Sequence, residues 1–477
     1  MDLAGRIAAL LPSGGRVLLS GGGEAVARAA ASAGVFLTER DLSFEAFEED
    51  GEPASGSPAR RFDVVVLEEP AAGPHPLAGL LHRARNLLAD PGRLILLAPA
   101  GSDPRDRVVA LSETGFVILA EDWTHGTGLF QARKEAIFVT EYQEGDEEAI
   151  LALFRRSFHV ERTAGRWRWE YAENPYGNRL ISEAFAEDGA LVAHYAAYPV
   201  RYYREPPGKD GAAETLLAQQ VGDTMTAPEV RKIGRGPTSV LARTVRHFYA
   251  RFCDGRVAFN YGFNTGNIQR FSMSFVRAKR IEDVPFRVRE VQGEGIPPLK
   301  PPHWLIRKLA GYRCERVTAI EEIDERWDEL FRRVRGSYGF LIERDARYLQ
   351  WRYARCPDPQ YFLYAVFRRR RLAGWSVFRQ LGDRLFWGDA LFDPRHPEAV
   401  RLLLAQVLAE PAHAGTRVIE TWATDRPAWW SRWVDALGFE RRLEPEALGF
   451  VFVPFERDLE RELGAELYYT KGDGDLF

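Results

Sequence analysis

Arg231-Lys232-Ile233-Gly234-Arg235-Gly236 puts three cations and two glycines into six residues. Residues 216–226 before it read as a strand. Pro237 after it suits a first helical position, where a missing N–H costs nothing. Leu241, Val245, Phe248 and Phe252 then recur at helical spacing and predict one apolar face. Such a loop aims several backbone N–H groups at one spot, at the positive end of a helix. Gly234 and Gly236 let the backbone approach a ligand closely, and Arg231, Lys232 and Arg235 add positive charge. The chemistry favoured is pyrophosphate binding. The bland alternative is a basic loop that caps a helix. The phosphate-loop pattern G-x-x-x-x-G-K-[ST] and the dinucleotide pattern G-x-G-x-x-G are both missing from this stretch.

R-x-x-G-x-G after a strand and a proline, here Pro228, resembles the acyl-CoA loop of the GNAT acyltransferase family. The resemblance implies acetyl-CoA or another acyl-CoA as cofactor. Its pyrophosphate would lie on residues 233–236, with Arg231, Lys232 and Arg235 nearby and Thr238 donating a hydroxyl hydrogen bond. In that family a backbone amide on the strand before the loop polarises the thioester carbonyl, and here residues 221–225, ending at Met225, supply it. Asn264, where the helix after the next strand begins, is a further cofactor-binding candidate. A carboxylate or ordered water takes the proton from the attacking amine. Glu183 is the first candidate base and Asp223 the second. The tyrosine expected to protonate the leaving thiolate is replaced by Phe271 or Ser274, so Tyr261, at the end of the 256–263 strand, is the candidate donor. Trp167 and Asn174 are candidates for the acceptor pocket.

The elements that must position these residues are partly repeated. Glu161-Arg162-Thr163-Ala164 leads to Trp169-Glu170-Tyr171-Ala172 and Pro175. Glu343-Arg344-Asp345-Ala346 leads to Trp351-Arg352-Tyr353-Ala354 and Pro357, at a constant offset of 182 residues. Gly222-Asp223 with Pro228 matches Gly388-Asp389 with Pro394. Predicted hairpins correspond too, with turns at Glu187-Asp188-Gly189 and at residues 368–371. The second turn, four arginines, reads as a solvated turn. The repetition of Trp169 and Tyr171 as Trp351 and Tyr353 favours core packing for that pair, and Asp389 favours a structural role for Asp223. The second copy lacks R-x-x-G-x-G: after Pro394 it reads Arg395-His396-Pro397 and enters a helix. The expected organisation is a domain at 1–135, a GNAT-like unit with the loop at 136–290, a proline-rich linker at 291–317, a GNAT-like unit without the loop at 318–460, and a polar surface tail at 461–477.

Residues 1–135 alternate strands and helices, which argues a parallel sheet covered on both faces. The order resembles the class I S-adenosylmethionine methyltransferase fold, most closely in F-D-V-V-V-L-E-E-P, His75-Pro76, Asp90-Pro91-Gly92-Arg93 and Gly115-Phe116. The resemblance implies Gly21, Gly23 and Glu39 as S-adenosylmethionine-binding candidates. Leu19 and Ala25 depart from the family's cofactor loop, so a scaffold or docking domain without methyl transfer is expected. The fold class expected for the whole chain is α/β: a Rossmann-like methyltransferase-type domain followed by two tandem GNAT-like α+β units with mixed sheets.

The 477 residues are too many for one core. A net charge of −4 gives no reason to expect nucleic-acid binding, and no apolar run is long enough to span a membrane. The N-terminus does not read as a signal peptide. Cys253, Cys314 and Cys356 are scattered without metal-ligand spacing, so no metal is expected and reduced thiols in a cytoplasm are. Together these features predict a cytoplasmic N-acyltransferase moving an acyl group, most simply acetyl, to an amine of a small molecule or sugar precursor. The alternatives are a Fem-type transferase using aminoacyl-tRNA, a bifunctional protein with an active methyltransferase, and a non-enzymatic binding protein.

Overall fold

Contacts between Cα atoms divide the chain into two units interleaved in sequence. One comprises Met1–Glu161, Ile181–Ala196 and Asp223–Asp254, the other Arg162–Leu180, Ala197–Gly222 and Gly255–Phe477. This computed structural model describes residues 3–11, 16–20, 62–69, 77–123, 127–205, 213–293 and 296–477. The S-adenosylmethionine candidates Gly21, Gly23 and Glu39 lie outside the described residues, as do Ala25 and His75-Pro76. The architecture is α/β with mixed sheets.

In the first unit, strands Val17–Ser20, Phe62–Glu68 and Leu88–Ala98 run parallel. Gly128–Lys134 follows antiparallel to the last of them, and Phe116–Asp122 forms the edge. The unbroken apolar run in Phe62–Glu68 has a physical cause: both faces of the sheet are covered. Val65 and Leu67 join a cluster with Leu80, Leu81, Val108 and Leu111 from helices Leu77–Leu87 and Pro104–Glu113. Val64 and Val66 face the other way, packing with Ile7 of helix Leu3–Ala8.

The same unit contains the helix that follows the basic loop. Val240–Phe252 packs along Pro104–Glu113, and Ala250 reaches the first cluster. Buried Arg243 fixes it further, donating to Glu135 at 2.9 Å and to the Ile137 carbonyl at 2.7 Å. Strand Ile137–Glu141 pairs antiparallel with Leu180–Ala186, with Thr140 opposite Glu183. Residues 191–196 and 223–226, portions of strands Leu191–Arg204 and Glu214–Thr226, complete this side.

In the second unit, residues 214–222 pair parallel with strand Phe259–Asn264 over three positions only, Ala218–Gln220 against Phe259–Tyr261. Residues 262–264 keep only their antiparallel partner, Gly449–Pro454. That partner lies within the 318–460 stretch, whereas Phe286–Glu290, at the end of the 136–290 stretch, pairs with Val418–Trp422. Each half of the repeat therefore lends a strand to the sheet of the other. The stretch expected to be a linker running into a short helix around Trp304 to Leu309 does hold helix Trp304–Ala310, and adds strand Tyr312–Val317, which pairs with Phe362–Arg368.

The two W-x-Y blocks occupy equivalent elements. Each follows a short capped turn, Ala164–Trp167 with Thr163 as cap and Ala346–Leu349 with Asp345, and each is a single π-helical turn, Arg168–Ala172 and Gln350–Ala354. Trp169 and Trp351 stack with ring centroids 5.3 Å apart. Each indole N–H donates to the other's backbone carbonyl, at 2.6 and 2.9 Å.

The polar tail expected on the surface is instead buried. Tyr468, Tyr469, Thr470, Asp473 and Phe477 are all below a tenth exposed. Arg344 donates to both Asp473 oxygens at 2.7 Å and to Asp389 at 2.9 Å, and Arg352 donates to the carbonyls of Gly472 and Gly474. Composition misled here because Thr470, Asp473 and the Gly472 and Gly474 carbonyls all meet buried partners. Arg344→Met would leave two buried carboxylates unneutralised and is expected to destabilise the protein by about 3–5 kcal/mol, measured by urea unfolding. Asp473→Asn should cost less, because it keeps an acceptor and leaves Asp389 to pair the arginine.

Candidate active site

Strand Glu214–Thr226 delivers the chain to the loop through an irregularity. Asp223 is half-buried and adopts φ +48°, left-handed backbone that few non-glycine residues take, aspartate and asparagine most readily. Met225 is buried on the same strand. The Ala227 amide bonds the Val192 carbonyl at 2.8 Å, and one 3-10 turn, Pro228–Val230, leads to Arg231. Arg231, Lys232, Ile233, Arg235 and Gly236 are exposed.

Within the loop, Ile233 N bonds the Val230 carbonyl and Arg235 N bonds the Thr238 hydroxyl at 3.2 Å. Among the described residues the amides of Lys232, Gly234 and Gly236 have no hydrogen-bond partner. Gly234 and Gly236 both have positive φ, +70° and +54°. Their surroundings differ: a Cβ at Gly234 would collide with the Thr238 carbonyl, while one at Gly236 meets nothing within 4 Å. Gly234 sets the loop's shape and Gly236 keeps it open.

Two local expectations need correction. Pro237 does not open the α-helix; it lies in the 3-10 turn Gly236–Thr238, and the helix starts at Val240. Ser239 is the cap, since its extended backbone lets its hydroxyl accept from the Ala242 amide at 3.3 Å. Thr238 does not hold its hydroxyl proton free for a ligand, because it donates to the Arg235 carbonyl at 3.0 Å. Arg231 likewise folds back, its Nε donating to the Thr226 carbonyl at 3.1 Å. Strand Phe116–Asp122 packs beside the Gly236–Thr238 turn, and its Glu121 pairs with Arg246 at 2.7 Å.

Glu183 is fully buried on Leu180–Ala186, with Nδ1 of equally buried His194 3.6 Å away. Burial pushes its carboxyl up to about 9, with Asp146 and Glu147 adding to the shift. At neutral pH it keeps its proton, which makes it a poor general base. Ser182, its neighbour, meets His247 Nδ1 at 2.8 Å, and His247 Nε2 lies 3.6 Å from Glu113. This serine–histidine–glutamate line went unnoticed in the sequence because its members are far apart in the chain. Ser182 and His247 are fully buried, so no substrate reaches them.

The remaining candidates lie in the second unit and are occupied structurally. Tyr261 is buried against Phe450 and donates to the Asp473 carbonyl at 3.0 Å. Burial raises its phenol well above the ordinary range. Its proton is thus held by the backbone rather than free for a thiolate. Asn174 bonds at both ends, to the Pro199 carbonyl and the Tyr176 amide. Trp167 is completely buried. Asn264 ends strand Phe259–Asn264 with its side-chain amide 3.5 Å from the Ser272 hydroxyl. Phe271, where a tyrosine was expected, stacks on Phe275.

Residues 139–274 match the family model described as acetyltransferase (GNAT) domain. This stretch is a GNAT acetyltransferase domain. It contains the strand, the basic loop and the helix described above, and it makes the protein an enzyme of the N-acyltransferase class. No curated protein matches the chain. Among solved structures, the chain is similar to a GCN5-related N-acetyltransferase from Kribbella flavida, at 13% identity and TM-score 0.46, over 66% of this chain and 70% of that one. It is similar to a tandem GNAT protein from the clavulanic acid biosynthesis pathway, at 16% and 0.39, over 68% of this chain and 99% of that one. Saccharomyces cerevisiae N-myristoyltransferase with bound myristoyl-CoA is similar at 12% and 0.42, over 67% and 83%. At these values the assignment rests on the domain match.

The buried carboxyl of the GNAT domain has a pH signature. Glu183 binds its proton more tightly folded than unfolded. Its contribution to stability is therefore complete below the ordinary carboxylate range and is lost as pH rises towards about 9. The loss is at most about 1.4 kcal/mol per pH unit. Glu183→Gln, neutral at every pH, should flatten the decline in unfolding free energy between pH 6 and 9, measured by urea titration. An unchanged decline would mean that Glu183 is ionised in the folded protein.

Proposed function

We propose that the GNAT domain transfers an acyl group, most simply acetyl, from acyl-CoA to an amine of a small molecule or sugar precursor. The observation carrying this reading is the set of unbonded amides at Lys232, Gly234 and Gly236, in an exposed basic loop leading into helix Val240–Phe252. Backbone donors at the positive end of a helix suit a pyrophosphate, and Arg231, Lys232 and Arg235 add charge-assisted contacts. With Glu183 protonated, Asp223 is the carboxylate left to accept the proton of the amine. Its left-handed backbone fits that role, since strained residues gather at functional positions. Leaving-group protonation falls to solvent in this reading, because Tyr261 is bonded to a carbonyl.

In the same reading the two W-x-Y copies are tandem GNAT-like units, the second without a cofactor loop. The equivalent π-helical turns and the mutual indole bonds support it. Residues 1–135 act as a scaffold of methyltransferase type. Support comes from the described strand order, three parallel strands followed by an antiparallel pair inserted in reverse chain order. Its Glu135 and edge strand brace the helix and turn of the loop.

Calorimetric titration of acetyl-CoA into the full chain tests the assignment. Gly234→Ala should weaken binding at least about tenfold, or 1.4 kcal/mol, because its Cβ displaces Thr238 and closes the loop. Arg231→Ala should cost about 1–3 kcal/mol, the range for a bond to a charged group. Unaltered affinity in Gly234→Ala would sink this loop as the cofactor site. With any amine that is turned over, Asp223→Asn should lower kcat by about 10²-fold or more while acetyl-CoA binding persists. Full activity in that variant would remove Asp223 as the base.

A further inference from the structure

The four arginines at 368–371 form the exposed hairpin turn expected of them. With Arg333, Arg395 and His396 they also line a pocket of about 550 Å³. Arg368 pairs with Arg371, leaving Arg369 and Arg370 as the two turn residues of a hairpin. Two-residue hairpin turns favour Asn-Gly and Asp-Gly because they need positive φ. Here Arg369 takes φ +56° itself. The corresponding turn of the first copy, Glu187-Asp188-Gly189, has glycine at φ +82° and two acids. The second copy thus carries four cations and a non-glycine residue in left-handed backbone where the first has two acids and a glycine.

The charge of this pocket is largely uncompensated. Six guanidinium groups line it and Asp393 is its one carboxylate. Asp393 is already engaged, receiving Arg333 at 3.1 Å and Arg395 at 2.9 and 2.6 Å. Among the described residues, no ion pair reaches the side chains of 368–371. Helix Pro397–Ala409 begins at the pocket, with His396 at its cap position making no side-chain cap. Solvent screens part of the mutual repulsion among these exposed arginines, and a bound anion would relieve the rest, since a guanidinium fork matches phosphate oxygens in pairs. The volume suits a ligand well above the size of a single ion.

We propose that this pocket binds a small molecule carrying two or more adjacent phosphates, held by arginine side chains rather than by a backbone cradle. It shares no residue with the loop at 227–239 and does not depend on the acyl-CoA reading.

The test is calorimetric titration of the full chain with inorganic tripolyphosphate, with ATP and with CoA. Tripolyphosphate should bind saturably in wild-type protein and more weakly as salt rises. Arg370→Ser/Arg371→Ser should weaken it at least about tenfold, while Arg401→Ser, an exposed change on the same helix outside the pocket, should leave it within about twofold. Tighter binding of ATP than of tripolyphosphate would identify a nucleotide as the natural source, and equal binding the phosphate chain alone. A thermal unfolding scan checks that the double variant is folded, and Arg371→Lys, which keeps charge and loses the fork, should show an intermediate loss. No saturable binding of tripolyphosphate or ATP to wild-type protein, or equal affinity in wild type and the folded double variant, would overturn the proposal.

Discussion

A guanidinium with no access to water, that of Arg344, sits between the carboxylates of Asp389 and Asp473. Removing three charges from water is costly, and the arrangement persists because nearly every lone pair is met. Tyr353 and Thr470 donate to Asp389, and the Thr470 amide donates to Asp473. The repeat explains why this cluster exists in one copy only. In the first copy Arg162 pairs with Glu170, but the residue equivalent to Glu170 in the second is Arg352. Arg344 cannot pair along its own helix and turns to Asp389 instead. Arg352, equally buried, binds tail carbonyls. One reversed charge thus draws the 468–477 segment into the second unit, where the Phe477 ring fills the space above Gly388.

The loop was readable because its meaning lies in local spacing: cations, glycines and an apolar helical face within 22 residues, 231 to 252. What spacing cannot convey is which glycine is sterically bound, since that depends on where the Thr238 carbonyl points. The helix start was misjudged for a similar reason. Pro237 and Ser239 are both good initiating residues, and the backbone of the 3-10 turn decides between them. Glu183 was legible as a carboxylate on a strand, but its protonation follows from burial on every side by residues remote in sequence. Tyr261 and Asn174 failed as free side chains because their partners, Asp473 and Pro199, are backbone carbonyls that carry no sequence signal.

Fold class was legible where burial imposes a pattern. The apolar run at 62–68 predicts a strand covered on both faces, and Val64–Leu67 divide between two clusters as that requires. The two W-x-Y blocks, each of which forms a π-helical turn, were legible as a pair. Strand partnership was not. Phe286–Glu290 alternates apolar and charged residues and Gly449–Pro454 is almost wholly apolar, and neither pattern carries information on which sheet receives the strand.

The exchange of these two strands bears on how the chain folds as it is synthesised. When residue 290 has emerged, Phe259–Asn264 still lacks Gly449–Pro454, and its open edge must wait for about 160 further residues, on the order of ten to thirty seconds at ordinary elongation rates. Through that interval an unpaired hydrophobic edge is available to any neighbouring nascent chain. A cut anywhere between residues 290 and 418 would part both Phe259–Asn264 from Gly449–Pro454 and Phe286–Glu290 from Val418–Trp422.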